Sequence, residues 1–444
     1  MKRNVTFARQ QRGCSAAGMK KGERAMQPFK EYAFRGKRVL IRVDFNVPFD
    51  KKTGLVTDDS RIRRAVPTIE YVVNRGGRVV LMSHMGRPKG EPSDEFSMKR
   101  IKQLVEQLVG KAVTLATDCV GPEVEAQTRG LHDGDVMLLE NVRFHAEEEG
   151  KVTRGEGESD ESYSERKQAM KVAQRKLAEG MAKLGDCYVN DAFGAAHRAH
   201  ASTSIIAEFF PNDKMFGLLM ASELEALAHV EKDPKRPLTA IMGGAKVSDK
   251  IKLIDTLLGK VDRLIIGGGM TYTFIKAQGG AIGKSLCEPD YVELAGQLLA
   301  KAKQKGVEVL LPVDAVNADA FSADAKTQVT AVEATPEGWM GLDIGPESAK
   351  RFHDAIVSSK TIFWNGPMGV FEMKPFAAGS FAVAAALAEA TKRGAYTLVG
   401  GGDSVSALKQ SGQEKAVSYI STGGGAMLEY LEGKELPGVK AICG

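Results

Sequence analysis

Apolar residues in this chain gather into short runs that stop at turn residues, and between the runs they recur at helical spacing. Runs at Arg38–Phe45, Gly77–His84, Ala112–Thr117, Asp135–Val142 and Asp186–Phe193 predict five strands in the first half. Runs at Leu238–Ala245, Val261–Gly268, Val307–Val313, Thr361–Asn365 and Tyr396–Gly400 predict five more in the second. The stretches between them read as amphipathic helices. One starts at Ser97 as N-cap, sets Met98, Ile101, Leu104, Val105 and Leu108 on one face, and stops at Gly110. Alternation of strand and helix builds parallel sheets covered on both faces. The expected fold class is therefore α/β, with a parallel sheet covered on both faces in each of two halves.

One segment breaks this rhythm. Glu147–Lys171 is polar and highly charged, and reads as a surface loop running into a helix, a solvated insertion outside the core. A chain of 444 residues is too long for one ordinary core. The division is expected near Phe210–Leu219, around Pro211-Asn212-Asp213, with a helix beginning near Ala221 connecting the halves. The expected domains are a basic extension at 1–26, an N-terminal lobe at 27–213 and a C-terminal lobe at 214–424.

Composition is ordinary for a globular protein, at 43% hydrophobic and 26% charged, and no run is long enough for a membrane span. The net charge of +5 comes from residues 1–26, where seven basic side chains face one acidic one; the rest of the chain is slightly negative. Bulk charge thus gives no reason to expect nucleic acid or a membrane as partner. The basic stretch reads as a disordered tail or an over-long start, with Met19 or Met26 as the true beginning, or as an organellar import peptide. A cytoplasmic location is expected, with import as the alternative. The five cysteines (Cys14, Cys119, Cys187, Cys287, Cys443) are scattered without a C-x-x-C, which argues for reduced thiols and against a disulfide frame or a zinc site.

The turns that follow the predicted strands sort into two chemistries. Before about residue 200 they carry Arg and His; after it they carry Gly. Arg61, Arg87, Arg143 and Arg198, with His84 and His197, fall in or beside turns, as suits capture of a small polyanion. Asp44 and Asn46 follow a buried strand and can orient an Arg or bond a hydroxyl, or simply form the turn before Pro48. In the second half, IMGGAKVSDK (Ile241–Lys250) offers Gly243, Gly244, Lys246 and Lys250. LVGGGDS (Leu398–Ser404) runs Gly400, Gly401 and Gly402 into a helix start able to hold phosphate, and Asp403 can reach Mg²⁺. Ligands of open α/β sheets sit beyond the carboxyl ends of the strands. A basic half and a glycine half suggest two anionic ligands brought together for transfer.

The motifs RVDFNVP, SHMGRP, LLENVRFH, NDAFGAAHRAH, GGAKVSDK, NGPMGVFE and GGGDS occur in order from about Phe29 onward. Together they closely resemble the phosphoglycerate kinase family. The resemblance implies reversible, Mg²⁺-dependent phosphoryl transfer between 1,3-bisphosphoglycerate and ADP, giving 3-phosphoglycerate and ATP. It also implies two doubly wound parallel-sheet, Rossmann-like lobes joined by a helix with a cleft between them, and hinge closure in a monomer, with the N-terminal lobe completed by about 425–444. On that resemblance Asp44, Phe45, Asn46, Arg61, His84, Met85, Gly86, Arg87, Arg143 and Arg198 bind the phosphoglycerate. Gly244, Ala245, Lys250, Gly268, Gly269, Gly341, Leu342, Asn365, Glu372, Gly401, Gly402, Asp403 and Ser404 bind the nucleotide. Arg61, Lys246, Lys250 and Gly402 act on the transferring group, and Asp403 serves the metal. Ser404 stands where many members have Thr, and Met85 where Leu is common. The other reading is a catalytically silent nucleotide-binding scaffold of the same fold.

Overall fold

The computed structural model describes residues 28–444, so the readings placed on 1–26 lie outside the described residues. The chain divides into two compact units, one ending at Leu224 and resumed by Glu435–Gly444, the other spanning Glu225–Lys434.

The first unit is built on six parallel strands: β1 (Arg38–Arg42), β2 (Arg78–Met82), β3 (Val113–Leu115), β4 (Val136–Leu138), β5 (Cys187–Asn190) and β6 (Lys214–Phe216), in the order β3-β4-β2-β1-β5-β6. Helices cover both faces, so residues of the central strands are buried without alternation; Val39 to Arg42 are all fully inaccessible. The helix Ser60–Val73 packs Ile62, Ala65, Ile69 and Val72 inward at helical spacing and sets Arg61 at its first turn. From β1 the chain runs to β2 on one side, and later places β5 on the other. The switch point, where a ligand crevice opens, therefore lies beyond the carboxyl ends of β1 and β5.

Several boundaries differ from expectation. The strand β6 pairs with β5, and the break between units falls inside the helix Leu218–Glu231 rather than at 213/214. The return to the first unit begins at Glu435, because the helix Gly424–Leu431 still belongs to the second. The helix expected from Ser97 runs Lys99–Val109, ending at Gly110 in the left-handed region (φ 69°). Ser97 Oγ still accepts from the Lys99 amide (3.1 Å) while donating to Glu140 (2.7 Å). The segment 147–171 leads into a helix, Asp160–Ala182, capped by Ser159. It does not lie wholly outside the core, since Glu148 is completely buried.

The second unit repeats the plan. Its main sheet holds β7 (Leu238–Met242), β8 (Arg263–Ile266), β10 (Glu308–Leu310), β15 (Thr361–Asn365), β16 (Tyr396–Val399) and β17 (Tyr419–Ile420), all parallel, in the order β10-β8-β7-β15-β16-β17. The switch point here lies beyond β7 and β15. Two smaller sheets were not expected: an antiparallel one of β11 (Asp314–Ala318), β12 (Thr327–Ala331) and β14 (Met340–Ile344), and the pair β9 (Ala281–Ile282) and β13 (Ala334–Thr335). Among the described residues no helix is long and apolar enough to cross a membrane. Among the described residues Cys119, Cys187 and Cys287 are free thiols.

Candidate active site

At the first switch point the turn after β1 is braced to its neighbours by side chains. Asp44 receives both bonds of an ion pair from Arg61 Nη1 (3.1 and 3.0 Å). Asn46 Oδ1 accepts from the Gly86 amide (2.9 Å), and Ser83 Oγ accepts from the Phe45 amide (2.8 Å). Arg143 Nη1 donates to the Gly86 carbonyl (2.8 Å), and its Nη2 lies 3.1 Å from Glu149. Its Nε is buried with no hydrogen-bond partner. Burial, reinforced by the positive charges of Arg42 and Arg198 and opposed by Glu149, lowers the Arg143 pKa to about 10. Arg198 Nε donates to His197 Nε2 (3.1 Å).

His84 sits at the centre of this charge. Burial first, then Arg42, Arg143, His200 and Arg61, holds its pKa well below the ordinary 6.5, so the ring is neutral near pH 7. Its Nδ1 lies 3.2 Å from Arg42 Nη2. A guanidinium only donates, so Nδ1 accepts and the ring proton sits on Nε2.

Three residues of this network were not singled out from the sequence: Arg42, Glu148 and His200. Arg42 is fully buried at the end of β1, and donates to Ser202 Oγ (2.7 Å) and the Val43 carbonyl. Glu148 accepts from the Ser202 hydroxyl and amide (2.6 and 2.9 Å) and faces His200 and Arg42 at 3.6 and 4.0 Å. Burial alone would raise its pKa, but His200, Arg42 and Ser202 outweigh that and keep the carboxylate charged. A charged residue closing an apolar strand, as Arg42 does, was the available signal.

Two predicted contacts stand differently. Phe45 and Met85 point into the core, so only their backbones face the turn. Arg87 is exposed and has no hydrogen-bond or ion-pair partner among the described residues, a free cation beside the cluster.

At the second switch point the glycine turns touch one another. The Gly243 and Gly244 amides donate to the Asn365 and Pro367 carbonyls (2.9 and 3.1 Å). A Cβ on Gly268 (φ 71°) would come within 2.6 Å of the Gly244 backbone, so this approach requires glycine. Between these turns and the antiparallel sheet opens a cavity of about 500 Å³. Gly244, Ala245, Gly268, Gly269, Gly341 and Leu342 line it, with Glu372 and Asp403 at its polar margin.

Lys250, Asn365, Gly401, Gly402 and Ser404 are not in that lining and form the scaffold beside it. Asn365 accepts from Lys250 Nζ and donates to the Gly400 carbonyl (2.7 Å). Ser404 Oγ accepts from the Gly366 amide (2.5 Å), a brace that a Thr hydroxyl would equally supply. Gly401 (φ 92°) opens the helix Gly402–Gln410, and a Cβ there would sit 2.6 Å from Asn365 Nδ2. Desolvation lowers the Lys250 pKa, partly offset by Asp249 and by Asp403 in the first turn of that helix. Lys246 is exposed and helps to hold Glu288 ionised. Asp403 offers one exposed carboxylate on the cavity margin. A single oxygen ligand fits Mg²⁺ held mainly by phosphate and water.

The sequence model of the family described as Phosphoglycerate kinase matches residues 29–434. The phosphoglycerate kinase of Porphyromonas gingivalis is 52% identical over 418 residues, covering 94% of this chain and 99% of its own. The chloroplastic phosphoglycerate kinase of Volvox carteri is 51% identical over 407 residues, covering 92% and 83%. Among solved structures, phosphoglycerate kinase from Coxiella burnetii superposes with a TM-score of 0.80 at 40% identity, covering 94% of this chain and 98% of its own. That from Pyrococcus horikoshii gives 0.77 at 29%, with the same coverage. The chain belongs to the phosphoglycerate kinase family.

Proposed function

We propose that the basic cluster of the first unit takes the phosphoglycerate and the glycine-lined cavity of the second takes the adenine nucleotide. The family reaction, reversible phosphoryl transfer between 1,3-bisphosphoglycerate and ADP to give 3-phosphoglycerate and ATP, is the activity of this chain. It is a kinase whose acceptor is a carboxyl group. The observation that carries the assignment of ligands is the contrast between the switch points: cationic side chains at one, bare backbone and a cavity at the other.

The acceptor carboxylate of 3-phosphoglycerate is already ionised at neutral pH, so no general base is needed. What remains is alignment and charge. Arg61, aimed by Asp44, faces the carboxylate end. Arg143 through its unpaired Nε, with Arg87 and Arg198, holds the phosphate, and neutral His84 donates from Nε2. Asp44 and Asn46 fix the turn, and Gly86 fixes Arg143; Phe45 and Met85 contribute backbone only.

In the second unit Leu342 and Gly341 pack the base against the glycine turns, and Glu372 accepts from ribose hydroxyls. Lys246 contacts the nucleotide phosphates. Lys250 and the amides of Gly402 to Ser404 stabilise charge on the transferring group. Bound Mg²⁺, with Asp403 as its protein carboxylate, supplies further neutralisation of the phosphates.

A coupled assay of the purified chain with 3-phosphoglycerate and Mg-ATP tests this. Turnover lost in Arg61→Ala, with ATP affinity retained, supports the assignment. Turnover that persists in that variant removes the substrate from the basic cluster. We further read the protein as a cytoplasmic monomer, which sedimentation and a reporter carrying residues 1–26 would test.

A further inference from the structure

Asp118 and Cys119 lie just past β3, and His145 lies past β4. These strands are direct neighbours, paired at Leu115 and Leu138, so the two loops leave the sheet side by side. The Glu140 amide donates to the Asp118 carbonyl (3.4 Å), and the Cys119 amide to Asp118 Oδ1 (2.6 Å). One donor atom from each of Asp118, Cys119 and His145 falls within 4.8 Å of the others. Cys119 is fully buried, whereas the side chains of Asp118 and His145 are 45% and 28% exposed. The thiol thus forms the floor of a small recess whose rim is open to solvent.

We propose that Asp118, Cys119 and His145 form a binding site for a thiophilic divalent cation of the zinc class, distinct from the Mg²⁺ that accompanies the nucleotide. The donor set is the argument. Sulfur, imidazole nitrogen and carboxylate oxygen together suit zinc, whereas Mg²⁺ takes oxygen ligands almost alone. Around a tetrahedral zinc, bonds of about 2.0–2.3 Å set donor atoms roughly 3.3–3.7 Å apart. The partly exposed Asp118 and His145 side chains have room to turn toward the buried thiol, and the His145–Asp118 hydrogen bond, at 2.7 Å, opens as the ion enters. The open rim leaves a fourth position for water. Spacing along the chain hides this convergence, because the ligands arrive from two loops and not from a C-x-x-C.

Co²⁺ titrated into the full chain provides the test, since cobalt bound by a thiolate shows a charge-transfer band in the near ultraviolet. A stoichiometric band is expected, bleached by Zn²⁺ and untouched by excess Mg²⁺. Cys119→Ser should abolish it. His145→Asn, on a partly exposed side chain that can change without disturbing the core, should weaken cobalt binding by more than about tenfold, because even groups behind a ligand are worth about 10–100-fold in affinity. Absence of the band, or a band unchanged in either variant, would overturn the proposal.

Discussion

Lys250 is held half out of water between the Asn365 amide oxygen and the field of Asp403, so its charge is fixed before any nucleotide arrives. A pre-placed charge of this kind acts most where negative charge moves during transfer. Lys250→Ala is expected to lower kcat by about 10²–10³ while leaving the KM for phosphoglycerate nearly unchanged; steady-state kinetics with both substrates varied would show a KM effect instead if the side chain only binds. His84 makes a different prediction, about pH. Its folded pKa lies below the unfolded value of 6.5, so below pH 6.5 the unfolded chain takes up a proton that the native one refuses. Stability therefore falls as the pH drops through that value and is unaffected by this group above it. Chemical denaturation should show that loss in the parent and a shallower one in His84→Gln; equal slopes would mean that the ring titrates normally. Chemical type beside a turn pointed to Arg61, His84 and Lys250 in the sequence, and the structure sets the first two by the turn after β1 and the third against Asn365. Arg42, Glu148 and His200 were not legible there, because charged residues are ordinarily solvated and nothing in their spacing announces a buried network.

Ten of the twelve strands in the two main parallel sheets were legible, because most are buried on both faces and so read as unbroken apolar runs; the short strands β6 and β17 were missed. The antiparallel sheet was not legible. β12 alternates exposed and half-buried positions, and β14 carries Gly341 and Asp343 within five residues, so neither resembles a core strand. That omission mattered, since Gly341 and Leu342 of β14 close the cavity. Gly341 also lies so near Tyr272 that a Cβ there would overlap the hydroxyl. The helix Asp160–Ala182 shows the opposite balance of local and tertiary support. Its buried contacts, Gln174, Leu177, Ala178 and Met181, all lie in the second half. Its first turns rest on the Ser159 cap, which accepts from the Ser162 amide at 3.2 Å. Ser159→Ala is expected to cost about 1 kcal/mol with kcat and KM intact; a denaturation curve measures the first, and any kinetic change would tie these exposed turns to the site.

Across the whole molecule the chain leaves the first unit once and comes back to it. Glu435–Gly444 returns to lie on the segment after β5, where Asn190 Nδ2 donates to the Gly438 carbonyl (3.2 Å) and the Gly438 amide donates to the Ala196 carbonyl (2.8 Å). This is the stretch that leads to Arg198 and His200. Deleting residues 435–444 should therefore lower phosphoglycerate affinity and the melting temperature of the first unit, while ATP binding to the intervening unit persists. Separate calorimetric titrations with each ligand decide it, and loss of both affinities together would mean that the return segment supports more than its own unit. The same path sets a timetable for synthesis. The intervening unit is 210 residues long, and a ribosome adding about 5–20 residues per second needs about 10–40 s to make it. Throughout that interval the first unit, although translated first, waits with the Ala196 carbonyl unpaired and Asn190 Nδ2 bonded to the Thr203 carbonyl alone. The unit begun last, being continuous, can be finished sooner.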